Sequence, residues 1–234
     1  HGRAPACATG IKRTNPDNEW QFDDLSYLKG RLNLEIVNTL ANKSDTDWMS
    51  VVHGAAVTNG RKTLLFVAES GKGKSTITAL LHAKGYNFIS DDMVALDKSN
   101  GFAFSVPGAI SVKPGAFKTV EPYFSELEKT VTLKIHETGK EIKYIFSDEQ
   151  NSALKPGVEV SQIIYLEYDP KTKFLLEKTD FTESLQRFNT EAWIIPHNEN
   201  IIAHLKWLFK TPSYRMVYSD TQKALETCIG FLES

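Results

Sequence analysis

The chain has 234 residues, 41% of them hydrophobic, with a formal net charge of −2. That is apolar material for one large packed domain, and the near-balanced charge excludes a general nucleic-acid or membrane-surface binder. No apolar run approaches the ~20 residues of a membrane span, a secretory apolar core is missing at the N-terminus, and Cys7 and Cys228 form no disulfide framework, so the cytoplasm is the expected compartment.

Residues 1–20 are rich in Gly, Pro, Ala and charge without a period, and read as a flexible leader ahead of a single domain over 21–234. Leu25, Leu28, Leu32, Ile36 and Leu40 fall at helical spacing, predicting a helix over 22–40 that Asp23 or Asp24 would cap. The apolar, β-branched runs 49–57 and 63–67 flank Thr58-Asn59-Gly60 and predict a hairpin. A helix is expected over 75–84, ended by Gly85. Strands follow at 86–89, 93–96, 102–106 and 109–112. Two further hairpins are expected, 132–135 with 142–146 around Thr138-Gly139, and 160–168 with 173–178 around Asp169-Pro170. The last third predicts helices at 181–188, 199–209 and 221–232 and a strand at 213–218. Hairpins beside one strand–loop–helix unit imply a mixed α/β sheet with flanking helices rather than a purely parallel one.

Ala68-Glu69-Ser70-Gly71-Lys72-Gly73-Lys74-Ser75 fits the phosphate-binding P-loop pattern, with Ala where Gly is usual at the first position. Gly71 and Gly73 let the backbone turn tightly and aim N–H groups at phosphate oxygens. The helix beginning near Ser75 adds its positive N-terminus. Lys74 reaches the terminal phosphates, Ser75 offers its hydroxyl to Mg²⁺, and Ser70 and Thr76 complete the cradle. Lys72 is either one more cation for phosphate or an ordinary solvated lysine.

Asp91 and Asp92 follow a strand. Adjacent acids there divide two tasks, holding the metal and accepting a proton from an attacking hydroxyl, and beside polyphosphate they require Mg²⁺ or a proton. His53 sits in an apolar strand next to the P-loop strand, as a core histidine or as a group facing the γ-phosphate. The other histidines show no zinc-ligand spacing, and Trp48, Trp193 and Trp207 read as core or interface residues.

Residues 53–96 resemble the catalytic domain of the HPr kinase/phosphorylase family. The resemblance lies in His53-Gly54, the P-loop from Ala68, the helix ending Ala83-Lys84-Gly85-Tyr86, and Ser90-Asp91-Asp92 before an apolar strand. It implies a P-loop mixed-sheet fold similar to the nucleotide-binding domain of phosphoenolpyruvate carboxykinases. It further implies His53 near the transferred phosphate, Lys74 and Ser75 on phosphate and magnesium, Asp91 as base toward a serine hydroxyl, and Asp92 at the metal. The family's Arg-Gly-rich signature is replaced by Val106-Pro107-Gly108-Ala109-Ile110-Ser111-Val112-Lys113-Pro114-Gly115. This looks more like stand-alone HPr-kinase-like enzymes, such as those acting on lasso precursor peptides, and makes Lys113 a candidate phosphate or substrate contact. Arg187 or Arg215 would supply a transition-state cation.

The expectation is thus an Mg²⁺- and ATP-dependent kinase acting on a serine of a peptide or protein. No nucleic-acid or membrane partner is expected, and the family's oligomers imply self-association. The alternatives are a nucleotide-binding regulatory module or a kinase of a small hydroxylated metabolite.

Overall fold

The structure is a computed structural model that describes residues 25–106, 108–125, 127, 129–134, 141–146, 157–194 and 200–234. The expected leader, the Asp23 and Asp24 caps and the Thr138-Gly139 turn lie outside the described residues. The chain divides into two units, one ending at Asp47 and the other Trp48–Ser234.

In the first unit, helix α1 (Leu25–Ala41) leads to a 3₁₀ turn at Asp45–Asp47. Asn42 takes a left-handed φ of 52°, and the Lys43 N–H returns to the Asn38 carbonyl at 2.9 Å, a Schellman-type end. Arg31 pairs with Asp45, which also accepts from Asn38 Nδ2 at 2.7 Å, so the turn is held against its own helix.

The second unit contains twelve strands among the described residues. The largest sheet has β2 (Gly54–Thr58), β3 (Thr63–Val67), β4 (Asn87–Ser90), β9 (Gln162–Tyr168), β10 (Phe174–Lys178) and β12 (Ser213–Tyr218), in the order β10-β12-β9-β3-β2-β4. Strands β3, β9 and β12 are mutually parallel, whereas β2 and β10 run against their neighbours. The sheet is therefore mixed.

Both faces of the sheet are covered, which is why β3 reads after Thr63 as an unbroken apolar run, LLFV. Period-two alternation sends Leu64 and Phe66 to one face, with Ile77 and Leu81 of α2 (Lys74–Ala83) and Leu225 and Cys228 of α6 (Thr221–Glu233). Leu65 and Val67 go to the other face, with Phe188 of α4 (Phe181–Thr190) and Leu208 of α5 (Ile201–Lys210).

Two smaller sheets complete the unit. One is β11 (Ala192–Ile194), β1 (Trp48–Val52) and β5 (Val94–Asp97). The other is β6 (Ile110–Val112), β8 (Glu141–Ile145) and β7 (Leu133–Lys134), with helix α3 (Pro114–Val120) after β6.

Three expectations are corrected. The run 49–57 is not one strand: it breaks at His53, sending β1 and β2 into different sheets. At the break a Cβ on Gly54 would lie 2.7 Å from the Phe66 carbonyl oxygen, so glycine permits the close approach. The 160–168 and 173–178 strands are not a hairpin, because β12 inserts between them, parallel to β9 and antiparallel to β10. The 102–106 strand reduces to Ala103, bridged to Leu96 and Val158. Among the described residues no helix is long and apolar enough to cross a membrane.

His204 of α5 is buried against Phe188 and Trp207, and neither ring nitrogen has a hydrogen-bond partner. Burial pushes its pKa down to about 4. The folded state thus binds this proton more weakly than the unfolded chain, and stability is lost as pH falls from the ordinary histidine value of 6.5 toward 4. Replacing His204→Leu is expected to shrink the drop in melting temperature between pH 7 and pH 4.5. An undiminished drop in thermal melts would assign the acid sensitivity elsewhere.

Candidate functional site

Strand register assembles the site at one end of the large sheet. β2 runs against β3 with Gly54 opposite Val67, so His53 lies where β3 gives way to the loop after it. β4 runs against β2 with Ala56 opposite Ser90, so Asp91 emerges at that same end. The loop between β3 and α2 turns through Gly71 and Gly73, at φ 87° and 100°. A Cβ on Gly73 would sit 1.9 Å from the Tyr218 hydroxyl of β12, so this strand presses against the loop.

Gly73 is the N-cap of α2, and the helix starts at Lys74. The first N–H groups of a helix lack intrahelical acceptors, so its start favours an anion. Lys74 is only 4% exposed. Its ammonium donates to the Ala68 carbonyl and, at 3.2 Å, to that of Glu69. Burial lowers its pKa, and Asp92 and Glu191 oppose the shift.

The Ser75 hydroxyl lies 3.0 Å from each Asp91 carboxylate oxygen. From β6, the Ser111 N–H donates to Asp91 Oδ2 at 2.9 Å, and its hydroxyl lies 3.1 Å from Asp92 Oδ2. Asp92 takes a left-handed φ of 66°, strain of the sort non-glycine residues carry at functional turns. The Asp91 pKa is pushed up to about 7, first by burial and then by Asp92, against the hydrogen bonds from Ser111 and Ser75.

His53 Nδ1 sits 2.9 Å from Glu191 Oε2, and its backbone N–H donates to the Glu191 carbonyl at 2.7 Å. Its Nε2 stands 3.9 Å from Asp92 Oδ1. Burial, then Lys74, lowers its pKa, opposed by Glu191 and Asp92. Glu191 thus fixes the ring from behind while the other nitrogen faces Asp92.

His53, Lys74, Ser75, Asp92 and Ser111 line a cleft of ≈ 330 Å³ whose walls also include Ser70, Thr76, Lys113, Tyr168 and Tyr218. Asp91 is not on that wall and meets it through the Ser75 and Ser111 hydroxyls. Lys113 Nζ reaches the Ser70 hydroxyl at 2.5 Å across the cleft. Lys72 turns instead into a neighbouring cavity of ≈ 300 Å³, together with Glu69 and Arg187. Arg187 pairs with Glu183 at 2.8 Å, and Arg215 with Glu167 at 3.0 Å. Neither arginine lines the cleft.

Ser75, Asp91 and Asp92 supply the hard oxygen donors that suit Mg²⁺, which commonly uses one or two carboxylates and completes its shell with phosphate and water. A cation there would also relieve the repulsion that raises the Asp91 pKa. Among the described residues there is no group of three or more His, Cys, Asp or Glu placed to hold a metal alone.

Ser111 and Glu191 were not singled out from the sequence. Ser111 stands in an ordinary strand and Glu191 caps the C-terminus of α4, with no motif around either, and only the fold brings them to the carboxylates and to His53.

No protein-family model matches the chain, and no curated protein matches it. Among solved structures the chain is similar to the Hpr(Ser) kinase/phosphatase from Coxiella burnetii, at 16% identity and a TM-score of 0.36 over 78% of this chain and 87% of that one.

Two substitutions test the geometry. Asp91 has a raised pKa, so its stabilising contribution is complete below its ordinary value of 3.8 and lost as pH rises through about 7. Asp91→Asn is therefore expected to raise the melting temperature more at pH 8 than at pH 5. Equal shifts would mean that the ionised carboxylate is not under strain. Gly73→Ala should lower the melting temperature markedly, since it adds an unfavourable φ to the clash with Tyr218. A native-like melt would contradict that packing.

Proposed function

We propose that this chain transfers the γ-phosphoryl group of ATP to a serine hydroxyl on a peptide or protein. The observation that carries the reading is the Ser75 hydroxyl 3.0 Å from both oxygens of Asp91, at the start of the helix whose first residue is Lys74. A phosphate-sized anion at that helix start would meet a buried ammonium on one side and a carboxylate pair on the other.

In this reading the loop amides and Lys74 hold the β- and γ-phosphates. Ser75 and Asp92 hold Mg²⁺, which when bound supplies positive charge against the phosphate oxygens and against Asp92. Asp91 accepts the proton of the attacking hydroxyl. The new oxygen–phosphorus bond forms as the bond to the β-phosphate oxygen breaks, and ADP departs. His53, held by Glu191, borders the transferred phosphate, and Lys113 adds a cation at the Ser70 side of the cleft. Positioning and charge neutralisation do most of the work, as expected for phosphoryl transfer. The serine specificity rests on the sequence resemblance alone.

Isothermal titration with Mg²⁺-ATP and mass-spectrometric detection of phosphopeptides test the proposal. Asp91→Asn is expected to keep ATP affinity and to lose about 10²–10⁴-fold in transfer rate. Retained turnover would remove Asp91 from the role of base. Lys74→Ala should weaken both nucleotide binding and transfer, and unchanged values would dismiss the cradle. Serine peptides should accept phosphate in preference to small hydroxylated metabolites; the reverse preference would make the chain a metabolite kinase.

A further inference from the structure

Three parallel strands give the large sheet two unlike ends. The C-terminal ends of β3, β9 and β12 carry the loop after Val67, Tyr168 and Tyr218, all bordering the cleft already described. The residues just before their N-terminal ends, Lys62, Ser161 and Pro212, line a separate cavity of ≈ 640 Å³. Five cationic side chains line it: Arg61 and Lys62 from the turn before β3, Lys98 from the turn after β5, and Lys206 and Lys210 from α5. Glu159 is the one acidic residue on its wall among the described residues. In a chain of net charge −2, this is a local excess of positive charge.

Part of the wall is apolar, with Met49, Val160 and Trp207. Trp207 is held in place, stacked on His204 at 6.2 Å and edge-on to Phe188 at 5.7 Å. Gly101 backs it closely: a Cβ there would lie 2.4 Å from the indole. The tryptophan is therefore a fixed surface beside movable lysines.

We propose that this cavity binds an acidic segment of a polypeptide partner, with carboxylates on the lysines and arginine and an apolar side chain against Trp207. Its volume falls within the roughly 300–1,000 Å³ of ligand sites. Lysine ammonium groups on flexible stems can follow carboxylates spaced along a chain, whereas bidentate recognition of one phosphate favours arginine. A compact phosphate is also served by a helix N-terminus, and α5 presents its C-terminal turn here, through Lys206, Trp207, Lys210 and Thr211. That end of the helix offers no free N–H groups to a compact phosphate, and Lys206 and Lys210 counter its partial negative charge. Nucleic acid calls for a broad basic face on a basic domain, which an overall charge of −2 does not provide.

The five residues of β3 separate this cavity from the phosphate loop by about 16 Å of strand. Both sites can be filled together, and the proposal stands whether or not the cleft binds a nucleotide.

The test uses the full chain carrying Lys74→Ala, so that the loop's ammonium does not add to binding. The probe is a synthetic peptide of six glutamates around one leucine, titrated by calorimetry at low and moderate salt. Its glutamine counterpart is the control. Binding is expected for the acidic peptide alone, weakening with salt. Adding Lys206→Glu and Lys210→Glu, both on exposed positions of α5, should weaken it by about tenfold or more. Arg61→Glu, on a different and exposed turn, gives an independent reading if the helix variant unfolds, which circular dichroism would report. No binding of the acidic peptide, or equal affinity in parent and reversed chains, overturns the proposal. So does tighter binding of tripolyphosphate or of a single-stranded oligonucleotide that the same reversals abolish, since the cavity would then belong to a small polyanion or to nucleic acid.

Discussion

The Asp91 carboxylate is the point on which the site depends. It is half-buried beside a second carboxylate, an arrangement that opposes its charge, and it is held there by the Ser75 hydroxyl and by the amide and hydroxyl of Ser111. Those donors belong to α2 and β6, and the carboxylate belongs to the turn between β4 and β5. One side chain thus joins three successive elements within residues 74–112. The hydrogen bonds offset only part of the desolvation, as the raised pKa records. A group kept so near the balance of its two protonation states is badly placed for stability and well placed for proton transfer at neutral pH.

The surroundings repeat that compromise. Gly71 and Gly73 turn left-handed, Asp92 does so without the freedom of glycine, and the Lys74 ammonium is buried against backbone carbonyls. Such strain persists only where the scaffold over-determines it. Here the scaffold is a sheet packed on both faces, with Phe66 and Leu64 under α2 and α6, and Leu65 and Val67 under α4 and α5. The loop cannot relax without moving strands that are buried along their whole length.

Local chemistry was legible in the sequence, and long-range pairing was not. The loop, the helix after it and the strands on either side of Asp91 and Asp92 come from patterns a few residues wide, so their positions were readable to within a residue or two. The strand Ser213–Tyr218 was readable as a strand, but its insertion between β9 and β10 was not, since alternation says that a strand exists and nothing about its neighbour. The same limit hid Glu191, which meets His53 across 138 residues of chain, and Ser111, whose surroundings Ile110 and Val112 mark only a strand. Arg187 and Arg215 were equal candidates by composition. Packing turns both to glutamates outside the cleft.

The break at His53 explains why the site exists at this end of the sheet and not elsewhere. β2 is antiparallel to both β3 and β4, so a single register, Gly54 opposite Val67 and Ala56 opposite Ser90, brings the start of one strand to the finishing ends of two others. Because side chains alternate with a period of two, a slip of one residue in β2 would turn Ala55 and Val57 out of one core and into the other, and would shift His53 by about 3.4 Å along the strand. Two buried faces forbid that slip more firmly than one would. The glycine at position 54, lying against the Phe66 carbonyl, pins the register at the residue next to the histidine. The hydrophobic pattern of β2 and β3, which carries no functional group at all, thereby sets the distance between His53, the loop and the two carboxylates.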